Sequence, residues 1–133
     1  MRDKTDRSAR ALAVFLAGAG ISHFTVPAFY DAIVPRVLPG RARRWTQLSG
    51  IAELVCAALV ALPSTRKAGG GLAAIVFVVV FPANVQMAVD WHDKSARERT
   101  MAYARLPMQV PLVVWALRVR RRATVTSLPT RPA

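Results

Sequence analysis

Apolar residues crowd into four stretches, at about residues 10–29, 46–62, 68–89 and 103–118, separated by short polar or basic connections. A bilayer core about 30 Å thick takes about 20 apolar residues per helix. Helices that are apolar all round belong in a large core or a membrane, and four of them in so small a chain leave little amphipathic surface for a soluble bundle. The pattern therefore predicts an all-α protein, a four-transmembrane-helix bundle. Residues 1–9 are polar and read as a disordered basic N-terminus, and residues 119–133, basic and then rich in Pro and Thr, as a mobile tail.

Details within the stretches refine this outline. Gly18 and Gly20 would let the first span approach a neighbour closely. In the first connection, Tyr30, Ile33, Val34, Val37 and Leu38 suggest a short segment in the membrane interface, broken by Pro35 and Pro39. The second span is short and ends in the turn Pro63-Ser64-Thr65-Arg66-Lys67. Gly69, Gly70 and Gly71 open the third and most hydrophobic span, in which Pro82 should produce a kink and free a backbone carbonyl. A charged loop over 90–102 leads to the fourth span, which carries Pro107 and Pro111.

Charge changes the picture only by its placement. The chain is 53% hydrophobic with a net charge of +12, and a pI near 11.7 would suggest nucleic-acid binding in a soluble domain. Here Lys and Arg flank every apolar run, which is the pattern of membrane anchoring and argues against nucleic acid. Four spans place both termini and the 63–67 turn on one side, with eleven basic residues against eight on the other, so positive-inside puts both termini in the cytoplasm. Tyr30, Trp45, Trp91 and Tyr103 fall at the four helix ends facing the other side and form an aromatic belt; Trp115 is a lone counterpart. The N-terminus imitates a cleaved signal up to Val26-Pro27-Ala28, but the Pro at that site and the three spans beyond favour a retained first helix. Cys56 is the lone cysteine, which excludes dithiol chemistry carried by this chain alone.

Polar residues interrupt the apolar runs near one end of each. At about 1.5 Å per residue, Glu53 lies about 10 Å below the Trp45 end of its helix, and His23 and Asn84 lie at a similar depth below Tyr30 and Trp91. Gln86 is slightly shallower, Arg105 sits near the edge, and Gln109 is one turn deeper. Polar groups at such depth are expensive and are suspected of function. Ser49, Gly50, Cys56 and Ala57 make the Glu53 face small, so Glu53 should point into the bundle, with Arg105 and His23 as candidate partners. The six residues admit a structural reading, an interhelical polar lock, and a functional one, a pocket for a small lipophilic or redox ligand such as a quinone. A proton or ion path, as in a small transporter, would need more than one carboxylate and one His. His23 as a haem or metal ligand is disfavoured, since the other histidine, His92, is in a loop. No phosphate-binding, dinucleotide-binding, nucleophile-elbow or zinc-protease motif is present, so no catalytic residue is assigned.

Several short motifs in this layer resemble those of the DoxX-like family of small bacterial membrane proteins. They are Gly20-Ile21-Ser22-His23-Phe24, Pro35 with Leu38-Pro39, Ser49 to Leu54, Phe81 to Ala88, and Arg105-Leu106-Pro107-Met108-Gln109, together covering about residues 11–118. The resemblance implies a multi-pass protein of the bacterial plasma membrane, a component or anchor of an envelope redox system without catalysis of its own. It also implies, as an alternative, a subunit handling quinone or a sulfur compound, because a relative belongs to a thiosulfate:quinone oxidoreductase. The expected partners are the lipid bilayer and envelope redox proteins. The missing cysteine pair counts against a thiol-redox role.

Overall fold

The computed structural model describes residues 2–126, and the protein is all-helical, with no strand among them. Six helices take the place of the four expected stretches: α1 (Arg2–Thr25), α2 (Pro27–Asp31), α3 (Ala42–Ala61), α4 (Arg66–Val79), α5 (Phe81–Asp90) and α6 (Ala96–Thr126). Proline accounts for both additional elements. Pro27 cannot donate a backbone hydrogen bond and pushes the residue before it out of the helical region. Val26 accordingly adopts φ −128° and ψ 53°, so the first stretch ends at Thr25 and the short α2 begins at Pro27. Pro82 likewise opens the turn before it, dividing the third stretch at Val80 into α4 and α5.

Two terminal expectations are corrected. Residues 2–9 are helical and continue α1 rather than being disordered. The reason is tertiary: Ala9 is fully buried, Asp6 pairs with Arg66 at 2.7 Å, and Ser8 accepts a hydrogen bond from the Trp115 indole at 3.0 Å. At the other end α6 runs on to Thr126, so residues 119–126 of the expected mobile tail are helix, anchored by the buried Val119. Residues 127–133 of that tail lie outside the described residues. α6 also continues through Pro107 and Pro111.

α1 packs on α3, α3 on α4, and α4 and α5 on α6, with a further contact closing α1 against α6. The main core is built largely from small or slender side chains, including Ala9, Leu12, Ala13, Leu16, Cys56, Ala57, Val60, Ala73, Ala74, Phe77, Ala116 and Val119. A second cluster of Ile33, Met87, Trp91 and Ala102 sits under the α2 connection with Phe29 and Tyr30 against it. Glycines set the closest approaches. A Cβ on Gly20 would lie 2.9 Å from the Gly50 carbonyl oxygen, and one on Gly69 would lie 2.6 Å from the Val60 backbone nitrogen. Gly18 has nothing within 4 Å of its would-be Cβ, so it does not take the contact role expected of it.

Large apolar side chains lie mostly outside. Val14 is 72% exposed, Ile75 59%, Val79 68% and Val110 66%, whereas His23, Thr46, Glu53, Arg66, Asn84 and Gln109 are buried. By length and composition, one continuous stretch among the described residues, Arg66–Asp90, is apolar enough to cross a membrane, with a mean hydropathy of 2.2 over its 18-residue window. The other long helices carry Arg and other polar residues inside or at the ends of their apolar runs, which lowers their averages.

Candidate functional site

The six sequence-selected residues fall into two groups and one outlier. The first group joins α1, α2 and α3. His23, near the end of α1, places Nδ1 2.9 Å from the Thr46 carbonyl oxygen, and a carbonyl can only accept, so Nδ1 carries the proton. Its Nε2 faces Glu53 Oε2 at 3.4 Å. That approach is not aligned as a hydrogen bond, and Oε2 is a buried oxygen without a hydrogen-bond partner among the described residues. Because Nδ1 is the protonated ring nitrogen, any proton shared by the Nε2–Oε2 pair must reside on one of those two atoms. Glu53 shares the buried face of α3 with Gly50, Cys56 and Ala57, and the absent side chain at Gly50 makes room for His23.

The His23 ring is held from a third direction. Tyr30 stacks on it with centroids 3.7 Å apart and planes 17° from parallel, and its hydroxyl lies 2.6 Å from Ser22 Oγ. Asp31, the last residue of α2, accepts from Thr46 Oγ1 at 2.6 Å and from Arg43 Nε at 2.8 Å. The short α2 is thereby tied to the first turns of α3 on the residue whose carbonyl positions His23. Desolvation pushes the Asp31 carboxyl up, but the hydrogen bonds from Thr46 and Arg43 and the Arg43 charge outweigh it and hold the group below its usual range. A depressed folded-state value means that this tie contributes stability above the ordinary carboxylate range and loses it as pH falls through the lower folded value. Wild-type protein should therefore unfold at higher temperature than Asp31→Asn at neutral pH. The gap should close on acidification below about pH 4, and a gap independent of pH down to the acid limit would contradict the assignment.

The second group joins α5 and α6. Asn84 Nδ2 donates to Gln109 Oε1 at 3.0 Å, and Arg105 Nε donates to Asn84 Oδ1 at 3.2 Å. Gln109 Nε2 in turn donates to the Phe77 carbonyl in the last turn of α4. The Pro82 break and the Gln109 side chain thus belong to one arrangement: the opened turn presents a backbone oxygen that a neighbouring helix satisfies. Arg105 also lies over the Phe29 ring, 5.8 Å from its centroid.

Two expectations are corrected. Arg105 forms no salt bridge with Glu53 among the described residues and acts on it only as a nearby charge; its Nε donates to Asn84, one helix away. Gln86 is not part of either group. One turn before the end of α5 it reaches the Asp90 carboxylate at 2.9 Å, which Arg36 also approaches at 3.5 Å. Two of the four belt residues turn inward: Trp91 is buried edge-on to Phe29 and Tyr30 covers His23, whereas Tyr103 stays 46% exposed.

Sequence reading missed Thr46, Asp31 and Arg66. Thr46 and Asp31 stand on either side of the first connection, and nothing in their spacing indicates that α2 folds back. Arg66 looks like a turn residue but is buried, donating to the Val60 and Ala61 carbonyls at the end of α3 and to Asp6. The last carbonyls of a helix need donors, and an arginine directly after a short turn is a usable signal of one. No group of three or more His, Cys, Asp or Glu side chains able to hold a metal occurs among the described residues.

Fold and site together define, over the described residues, an all-helical protein whose helices are joined by a buried polar layer with one carboxylate oxygen left unmatched. The chain matches the family described as domain of unknown function DUF8561 over residues 12–120, and it belongs to that family. The match runs from α1 into the last turns of α6 and includes every residue of the polar layer. No curated protein and no solved structure matches the chain.

Proposed function

We propose that the protein is a multi-pass protein of a bacterial plasma membrane, a four-span bundle of DoxX-like type with both termini in the cytoplasm. In this reading α1, α3, α4 with α5, and α6 are the spans. The protein acts without catalysis of its own, as a membrane component or anchor of an envelope redox system, and the polar layer lies in the outer half of the bilayer. The observation that carries the reading is the inverted distribution of side chains. Val14 on α1, Ile75 and Val79 on one face of α4, and Val110 on α6 face outward, while the carboxylate, amides and imidazole face inward. In water such a surface would be an aggregation hazard. In lipid it is the expected exterior, and the interior then packs through small residues and polar contacts.

The polar layer supports a lock more directly than a reaction centre. Asn84, Gln109 and Arg105 engage one another and the α4 backbone, and His23 is bonded through Nδ1 to the α3 backbone at Thr46. A second reading, a subunit that handles quinone or a sulfur compound, is favoured by one feature, the buried Glu53 Oε2 without a donor. A ligand hydroxyl could supply it.

The membrane reading is tested by alkaline extraction together with topology reporters. The protein should stay in the membrane pellet. A reporter active only in the cytoplasm should work at the N-terminus, after Ser64 and at the C-terminus, and fail after Val37 or Asp93. Recovery of the protein in the soluble fraction, or the opposite reporter pattern, would overturn it.

A further inference from the structure

The basic end of the bundle carries a groove of about 380 Å³ between α1 and α6, remote from His23 and Glu53. Its lining is ordered by chemistry along α6. Val110, Pro111 and Val114 come first, Trp115 next, then Arg118 and Arg122, with Ser8 of α1 on the facing wall. Val110, Val114, Arg118 and Arg122 recur every four residues and so form one stripe along the helix. From Val110 to Arg118 the stripe rises about 12 Å, and to Arg122 about 18 Å.

The floor of the groove is built. Trp115 donates its indole N–H to Ser8 Oγ at 3.0 Å, and Phe15 packs against its ring with centroids 6.1 Å apart. These contacts fix the indole between the two helices at the level where apolar lining gives way to basic lining. Arg118 has no acidic partner among the described residues.

Resting on the membrane reading above, we propose that this groove is a site for an anionic phospholipid of the cytoplasmic leaflet. The acyl chain lies along Val110, Pro111 and Val114, the glycerol region reaches Trp115, and the phosphate diester sits at Arg118 and Arg122. The order of the stripe matches the order of a lipid from tail to headgroup. The charge is complementary, and guanidinium groups bind phosphate oxygens through paired donors. Basic pockets at the cytoplasmic ends of helices are where such headgroups are held. A zwitterionic lipid would bring a quaternary amine to the same arginines and bind less well.

The test uses the full chain purified in a mild nonionic detergent and titrated with phosphatidylglycerol or phosphatidylcholine. Native mass spectrometry counts bound lipid and thermal unfolding reports stabilisation. Phosphatidylglycerol should be retained and raise the unfolding temperature, and phosphatidylcholine should do so far less. Arg118→Ala/Arg122→Ala should weaken phosphatidylglycerol binding about thirtyfold, from two cationic contacts of ordinary strength. Arg41→Ala/Arg44→Ala, at the other end of the bundle, should leave it unchanged. Trp115→Phe, which keeps the ring and removes the donor to Ser8, should weaken both lipids' retention without abolishing the preference for phosphatidylglycerol. Equal binding of the two lipids, or an unaltered preference in the double arginine variant, would overturn the site. If that happens while the protein still resists alkaline extraction, the lipid site fails and the multi-pass reading stands; release by alkali would overturn both.

Discussion

Gly50→Ala should destabilise the protein by about 1–3 kcal/mol, the range for overpacking a close contact, and should disturb the polar layer at the same time. A Cβ at position 50 would lie 2.8 Å from His23 Cβ, 2.8 Å from the Phe24 ring and 3.1 Å from the Gly20 carbonyl oxygen. The half-exposed Phe24 ring can turn away. The His23 Cβ and the Gly20 backbone cannot, because both belong to α1 itself. The helices must separate, and His23 then moves relative to both of its α3 partners, the Thr46 carbonyl and Glu53. Gly18→Ala is the internal control. It is the same chemical change on the same helix, with nothing within 4 Å of the new methyl group, so it should leave stability unchanged or slightly raised. Thermal unfolding of both variants in one detergent decides the matter. Equal losses at the two sites would mean that helix crossing at Gly20 and Gly50 does not limit the packing.

The Gly50 contact also shows what could and could not be read from sequence. That the face around Glu53 is small follows from Gly50, Cys56 and Ala57 at helical spacing, and the structure puts all of them on the buried side of α3. Which glycine of α1 meets that face does not follow, because Gly18 and Gly20 differ by about 200° around a helix and either side could be the inner one. Long-range partners were equally hidden. In an unbroken helix Tyr30 would stand about 10 Å from His23, two turns along. Pro27 breaks that helix, the chain folds back, and the rings stack at 3.7 Å. The proline was visible and so was the expected break in the third stretch at Pro82; the direction in which the chain leaves a proline depends on what it packs against. The same limit explains Arg105. Its depth placed it in the layer, but only the packing of α5 against α6 gives its Nε hydrogen bond to Asn84 and leaves Glu53 within reach of its charge alone. The helix over residues 2–9 escapes the sequence for a related reason: its order comes from Asp6, Ser8 and Ala9 docking on distant helices, a tertiary effect that a polar local composition masks.

Glu53→Leu should leave the protein as stable as wild type or stabilise it, by up to a few kcal/mol, and this separates a lock from a functional site. A buried charge or carboxyl without full hydrogen bonding is a net cost, and replacing such groups by apolar residues of similar volume is commonly neutral or stabilising by about 1–4 kcal/mol. Glu53 meets that description. It is 8% exposed, Oε2 has no donor among the described residues, and its approach to His23 is 3.4 Å and poorly aligned. His23 loses little in the variant, because Nδ1 still donates to the Thr46 carbonyl and Tyr30 still covers the ring. Asn84→Leu should behave oppositely. It removes the acceptor of Arg105 and the donor to Gln109, leaving two buried or half-buried polar groups short, at about 1–3 kcal/mol for an unsatisfied group. If both substitutions are destabilising by similar amounts, Glu53 is part of the lock and its carboxylate is held by contacts equivalent to those of Asn84. If Glu53→Leu keeps or raises the unfolding temperature yet fails to complement a deletion strain, the carboxylate is retained against its own energetic interest. The unmatched oxygen is then the place where a ligand donor binds.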